Sequence, residues 1–93
     1  MKYKIVQTSK FKKDLKRAIK QGKNLAELQK VINLLASGQN LPIKNRDHAL
    51  KGNYSHCREC HIAPDWLLIY EIIHDELFLY LTRLGSHSEL LGM

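Results

Sequence analysis

The stretch Trp66-Leu67-Leu68-Ile69-Tyr70-Glu71-Ile72-Ile73-His74-Asp75-Glu76-Leu77-Phe78-Leu79-Tyr80-Leu81-Thr82-Arg83-Leu84 decides the fold. Aromatic, branched and other bulky apolar residues fill both arms, and the polar triplet His74-Asp75-Glu76 separates them. This pattern predicts two antiparallel strands, Trp66–Ile73 and Leu77–Leu84, joined by a tight turn. Upstream, Ala63-Pro64-Asp65 reads as a second turn and Ser55–Ile62 as a more mixed strand. Three consecutive strands with short turns form an antiparallel meander. A polar loop from Gln39 to Tyr54, containing Pro42 and Gly52, precedes it. Gly85 breaks the last strand and leaves a tail from Ser86 to Met93.

The first half has the other period. Phe11, Leu15, Ala18 and Ile19 recur at helical spacing, with Ser9 as the expected N-cap and Gly22 ending the helix in a left-handed cap. Asn24 is the expected cap of a second helix, with Glu27 in capping-box position. Its buried face is Leu25, Leu28, Val31, Ile32 and Leu35, and Ser37-Gly38 closes it. So short a connection implies an antiparallel helical hairpin. Residues 2–7 read as a short strand. The order strand, helix, helix, three strands predicts one α+β domain over residues 1–93, with the helices packed on one face of a single sheet.

Fifteen Lys and Arg against nine Asp and Glu leave a net charge of +6. Such a surplus attracts RNA, DNA or an acidic protein, and a lysine-rich solvated face explains it equally well. Lys12, Lys13, Lys16, Arg17 and Lys20 gather around the first helical stripe. The longest apolar run, Trp66–Tyr70, is far too short to cross a bilayer, and residues 1–7 lack the apolar core of a signal peptide. A cytoplasmic protein without a membrane partner is expected. Cys57-Arg58-Glu59-Cys60-His61 has the spacing of a c-type haem attachment site. On a strand, however, the odd separation sends Cys57 and Cys60 to opposite faces, so neither a shared zinc nor a disulfide is expected. No metal or cofactor is expected.

The helical stripes carry none of the five histidines. His48, His61, Asp65, Trp66, Arg83 and His87 all map to the loop, the tail or an end of a meander strand, where sites usually assemble. Together they offer what RNA cleavage without a metal needs. One group takes a proton from a ribose 2′-OH, another protonates the leaving 5′-oxygen, and a fixed cation steadies the phosphorane. Imidazole suits the proton transfers and a guanidinium suits phosphate. Trp66 is either a stacking platform for an unpaired base or a core indole, and Asp65 is either part of the site or a turn residue.

Three blocks carry a resemblance. Asp47-His48-Ala49-Leu50-Lys51-Gly52 resembles the Asp-His-x-Leu-x-Gly segment of YafQ-type toxins in the RelE/ParE superfamily. Arg58-Glu59-Cys60-His61-Ile62-Ala63-Pro64-Asp65, running on to Tyr70, resembles their Arg-x-x-His-x-x-Pro-Asp-x-x-x-x-Tyr segment. Arg83-Leu84-Gly85-Ser86-His87 resembles their Arg-x-Gly-x-His segment. The blocks occur in family order, in a chain of family length with the expected helical hairpin before them, so the resemblance covers essentially the whole chain.

The resemblance implies a RelE-like fold and a ribosome-dependent messenger-RNA endonuclease, the toxin of a type II toxin–antitoxin pair. It implies cleavage in the ribosomal A site through the 2′-OH, without a metal. His48, His61, Asp65 and His87 become the acid–base set, Arg83 the phosphate binder and Trp66 a substrate contact. His87 is favoured as general acid and Asp65 or His48 as base, with His61 positioning the substrate. Leu91 stands where relatives often carry an aromatic base contact, and His56 is an extra imidazole. The basic helix would grip ribosomal RNA. The implied partners are a small RelB/DinJ-like antitoxin, the ribosome with its messenger RNA, and operator DNA through the toxin–antitoxin complex. The alternatives are a basic nucleic-acid-binding module or an antitoxin-binding scaffold, neither of them catalytic.

Overall fold

The computed structural model describes residues 1–92; the last residue of the expected tail, Met93, lies outside them. The elements are β1 (Lys4–Gln7), α1 (Ser9–Lys20), α2 (Leu25–Ala36), β2 (His48–Ala49), β3 (Arg58–Ala63), β4 (Trp66–Ile73), β5 (Phe78–Gly85) and α3 (His87–Leu91). The α+β expectation holds. The strands form one mixed sheet in the order β1-β5-β4-β3-β2, with β1 parallel to β5 and every other pair antiparallel.

The sequence reading differs from the structure in several local places. Thr8, not Ser9, caps α1: its hydroxyl accepts from the Phe11 N–H at 3.0 Å. Leu77 belongs to the turn, with φ of 59°, so β5 starts at Phe78. The polar loop contains a fifth strand, β2, too short to show a period. The tail folds into α3, whose five residues fall below the length at which helical periodicity is legible. Asn24 caps α2 as expected, accepting from Ala26 and Glu27. Glu27 itself reaches forward to Lys30 at 3.9 Å.

The sheet has two differently built faces. On one, Cys60, Ile62, Trp66, Leu68, Tyr70, Leu79, Leu81 and Leu84 pack under Phe11, Ala18, Leu28, Val31, Ile32, Leu35 and Ala36 of the helices. Ile19 and Leu25, expected on the buried stripes, are 54% and 39% exposed instead. On the other face Cys57, Leu67 and Ile69 are covered by Leu90 of α3, with Leu50, Tyr54 and Leu91 around them. β4 is thus buried on both sides at its centre, which explains its nearly unbroken apolar run. The two cysteines do fall on opposite faces, both as buried free thiols.

Candidate active site

Alternation along β3 puts Glu59 and His61 on the face away from α1 and α2, two residues apart. Glu59 is only 2% exposed. Its Oε1 lies 3.6 Å from His48 Nε2, 3.6 Å from His61 Nε2 and 3.8 Å from His87 Nε2. Its Oε2 is buried without a hydrogen-bond partner among the described residues. A carboxylate taken out of water needs compensating charge or donors nearby, and three imidazole edges are what the fold supplies. The rings come from three separate elements, β2, β3 and α3. Glu59 was missed at the sequence level, although the alternation that separates the two cysteines also places residue 59 beside His61.

Each ring is aimed by a separate device. His48 Nδ1 meets the Arg46 carbonyl at 2.7 Å; a carbonyl only accepts, so this nitrogen carries the proton and Nε2 keeps its lone pair in the neutral ring. Arg46 adopts a left-handed φ of 48°, a turn that a side-chain-bearing residue rarely makes. The loop is pinned at Asp47, whose Oδ1 accepts from Tyr70 OH at 2.6 Å and Arg58 Nε at 3.1 Å. Burial and that bond push the Tyr70 phenol well up, and the bond to Asp47 raises Arg58 too. The Asp, Arg and Tyr of the first two sequence blocks therefore hold the His48 loop onto the sheet. Behind His61, the buried Asn45 donates to the His61 carbonyl at 2.7 Å.

His87 is the first residue of α3, and Asp65 in the β3–β4 turn accepts both its backbone N–H at 3.1 Å and its Nδ1–H at 3.0 Å. The two bonds hold the Asp65 carboxyl below its ordinary range. The ring is thereby turned with Nε2 toward Glu59, 5.5 Å from the His61 ring centre. A capping box fixes α3: Ser86 Oγ accepts from Glu89 N–H, and Glu89 Oε1 accepts from Ser86 N–H. That backbone bond, aided by Arg17, lowers the Glu89 carboxyl. Gly85 allows the close turn, because a Cβ there would lie 3.0 Å from both Arg17 Nη2 and Glu89 Oε1.

Arg83 and Arg17 are more constrained than their sequence positions suggest. Arg83 gives Nε and Nη2 to the two oxygens of buried Asp14, at 2.7 and 3.2 Å. Asp14 also accepts from the Leu84 N–H at 3.0 Å and from Arg17 at 3.2 Å, so one carboxylate ties α1 to the β5 edge left free beyond β1. Arg17 continues to Glu89 at 3.2 Å. Asp14 was a second omission with a legible signal: a carboxylate on the stripe of Phe11 and Ala18 has to be paired. In register, Arg83 lies across from Ile69, itself across from Glu59, so its side chain leaves β5 on the histidine side of the sheet before its guanidinium reaches Asp14 of α1.

Trp66 requires correction. It is 3% exposed in the core beneath the helices, so no ring face is free to stack on a base. Leu91 is half-buried against Leu67 and Ile69. Lys12, Lys13, Lys16 and Lys20 are exposed along α1. His74 bonds Tyr3 OH at 3.2 Å beside the β4–β5 turn and does not join the cluster. A groove of about 460 Å³ opens beside His61, rimmed by Lys44 and Arg46. Glu59, His61 and His87 place one ligand atom each within 4.8 Å of one another, an oxygen and two nitrogens that suit a divalent transition metal.

Fold and site together define a small basic α+β domain whose histidines converge on one buried carboxylate. The chain matches the family described as bacterial toxin of type II toxin–antitoxin system, YafQ, over residues 3–92, and it belongs to that family. The mRNA interferase toxin YafQ of Escherichia coli K12 is 36% identical over 86 residues, 91% of each chain. A metal-bound toxin from Helicobacter pylori is 49% identical, with a TM-score of 0.90 over 96% of this chain and 99% of that one. YafQ in the E. coli DinJ–YafQ toxin–antitoxin complex is 32% identical, with a TM-score of 0.88 over 99% of this chain and all of that one (100%).

Proposed function

We propose that this chain is a ribosome-dependent endoribonuclease that cuts messenger RNA in the ribosomal A site, inhibits translation and so arrests growth. Its protein partner is a small antitoxin of the kind seen with its relative, and the pair would meet operator DNA as a complex. The observation that carries the catalytic reading is the meeting of three imidazole Nε2 atoms within 3.6–3.8 Å of one buried Glu59 oxygen. A non-catalytic binding surface has no need of such a device.

His48 acts as base. Its Nδ1 proton is committed to the Arg46 carbonyl, leaving the Nε2 lone pair to take the proton from the 2′-OH. The freed oxygen attacks the adjacent phosphorus while the bond from phosphorus to the 5′-oxygen breaks. His87, as the imidazolium whose Nδ1–H stays on Asp65, donates its Nε2 proton to that leaving oxygen, giving a cyclic phosphate and a 5′-hydroxyl. Asp65 serves as the group that orients His87, since a carboxyl held in its anionic form by two donors is a weak base. Glu59 balances the positive charge that moves between the rings. His61, beside His87, positions the phosphate, with Arg83 contributing the N–H groups that Asp14 leaves over. Lys12, Lys13, Lys16 and Lys20, with Arg17 at their margin, meet ribosomal RNA.

This cycle balances its protons without a metal. A divalent ion held by Glu59, His61 and His87 would occupy the nitrogen lone pairs on which proton transfer depends. Added Zn2+ is therefore expected to slow cleavage, and a chelator to leave it unchanged; a rate abolished by chelator and restored by metal would refute metal-free chemistry. The test of function is to map 5′-hydroxyl ends on messenger RNA from cells expressing the protein beside a His87→Ala twin. In-frame, translation-dependent cuts lost in the twin support the reading. A folded wild type that cuts nothing would leave binding alone to explain the basic surface.

A further inference from the structure

Two residues upstream of Glu59, the same face of the sheet brings together a second set of ligand atoms that the proposed cleavage does not use. His56, Cys57 and Glu71 each offer one ligand atom, a ring nitrogen, a thiol sulfur and a carboxylate oxygen, all within 4.8 Å of one another. The grouping follows from the register: Arg58 pairs with Tyr70, so the next step outward sets residue 57 beside Glu71. Cys57 points to the histidine face with Leu67 and Ile69. His56 precedes the strand and is exposed.

The geometry points to a zinc site formed by the Cys57 thiolate, the His56 imidazole and the Glu71 carboxylate, with water in a fourth position. Mixed sulfur, nitrogen and oxygen donors suit Zn2+, whereas Mg2+ and Ca2+ take oxygen alone. On binding, the thiol proton passes to solvent as the zinc–sulfur bond forms, so uptake releases one proton per ion. Cys57 is 2% exposed, but His56 is open and Glu71 half-open, which gives the ion an entry path on their side. The site shares no ligand with the Glu59 cluster; along β3, residues 57 and 61 are about 13 Å apart. Cys60 cannot substitute for Cys57, because it lies on the helix face. The site rests on no part of the nuclease reading. Its structural effect would be to fasten the segment before β3 to the middle of the sheet.

Co2+ is a suitable probe, since a thiolate ligand gives it an intense near-ultraviolet charge-transfer band that nitrogen and oxygen ligands do not. Reduced, metal-free protein is expected to develop this band to saturation at one thiolate-bound ion per chain, and Zn2+ to bleach it. The band should vanish in Cys57→Ser and persist in Cys60→Ser and in His61→Ala, the last removing a ligand of the other cluster. His56→Ala and Glu71→Gln keep the thiol, and each should weaken Co2+ binding by on the order of 10-fold or more. Absence of the band in folded wild type, its persistence in Cys57→Ser, or unchanged affinity in both ligand variants would overturn the assignment.

Discussion

The helix-covered face of the sheet and the histidine face are made by alternate residues of the same strands, yet they are held by different forces. Beneath α1 and α2, Leu68, Tyr70, Leu79, Leu81 and Leu84 meet an apolar helical layer, and the side chains there are almost entirely carbon. On the other face only a short helix and a loop cover the sheet. Between them lie polar groups, Glu59 and Cys57 buried and His61 half-buried. The first face contributes most of the apolar burial. The second spends that stability on a buried carboxylate, a left-handed Arg46 and a helix of five residues pinned by Asp65. The histidines collect where the core is thinnest, as the proposed proton transfer to RNA requires.

If the division is real, variants on the two faces must fail differently. The largest expected effect is that of His87→Ala, which should lower turnover of ribosome-bound messenger RNA by roughly 10²- to 10⁴-fold while leaving the urea midpoint nearly unchanged. Leu68→Ala, on the helix face and fully buried, should do the reverse. It is expected to destabilise by about 2–5 kcal/mol in urea unfolding, with turnover of the folded fraction retained. Asp14→Asn tests the seam between the faces. It leaves Arg83 paired with a neutral amide and should cost about 3 kcal/mol, with a loss of activity as β5 and α3 loosen. A stable Asp14→Asn protein would break the claim that this carboxylate joins them.

Smaller effects sharpen the comparison. Replacing Lys12, Lys13, Lys16 and Lys20 by Gln should weaken ribosome binding and flatten its salt dependence by roughly 0.7 in log–log slope for each RNA phosphate no longer neutralised. Turnover at saturation should not change. The smallest is a titration. Asp65 is held below its ordinary pKa of 3.8 by His87, so the Asp65–His87 pairing contributes stability fully present above the unfolded value and lost as pH falls through the folded one. A carboxyl resonance of Asp65 titrating below 3.8 in NMR supports this. A midpoint at or above that value would show that the turn does not hold α3.

The sequence disclosed those parts of the molecule whose period is long enough to read. The two helices, the β3–β4–β5 meander and the opposite facing of Cys57 and Cys60 all follow from spacing. β2 and α3 span two and five residues, less than their patterns need, although they carry His48 and His87. The histidines were legible by their position at strand ends and in loops. Glu59 and Asp14 were overlooked because a charged residue within an apolar pattern is easily taken as solvated, and only burial shows that it is paired. Trp66 was ambiguous until its face was known. Its even number on β4, shared with Leu68 and Tyr70, assigns it to the helix side.

The most direct test of the site is the single-turnover rate at which a Glu59→Gln variant cleaves ribosome-bound messenger RNA, beside wild type of equal thermal stability. Glutamine keeps the side chain's size and removes the charge on which His48, His61 and His87 converge. A fall on the order of 10²-fold with the fold intact is the predicted result. A wild-type rate in the folded variant would show that the histidines work without the buried carboxylate, and would contradict the account.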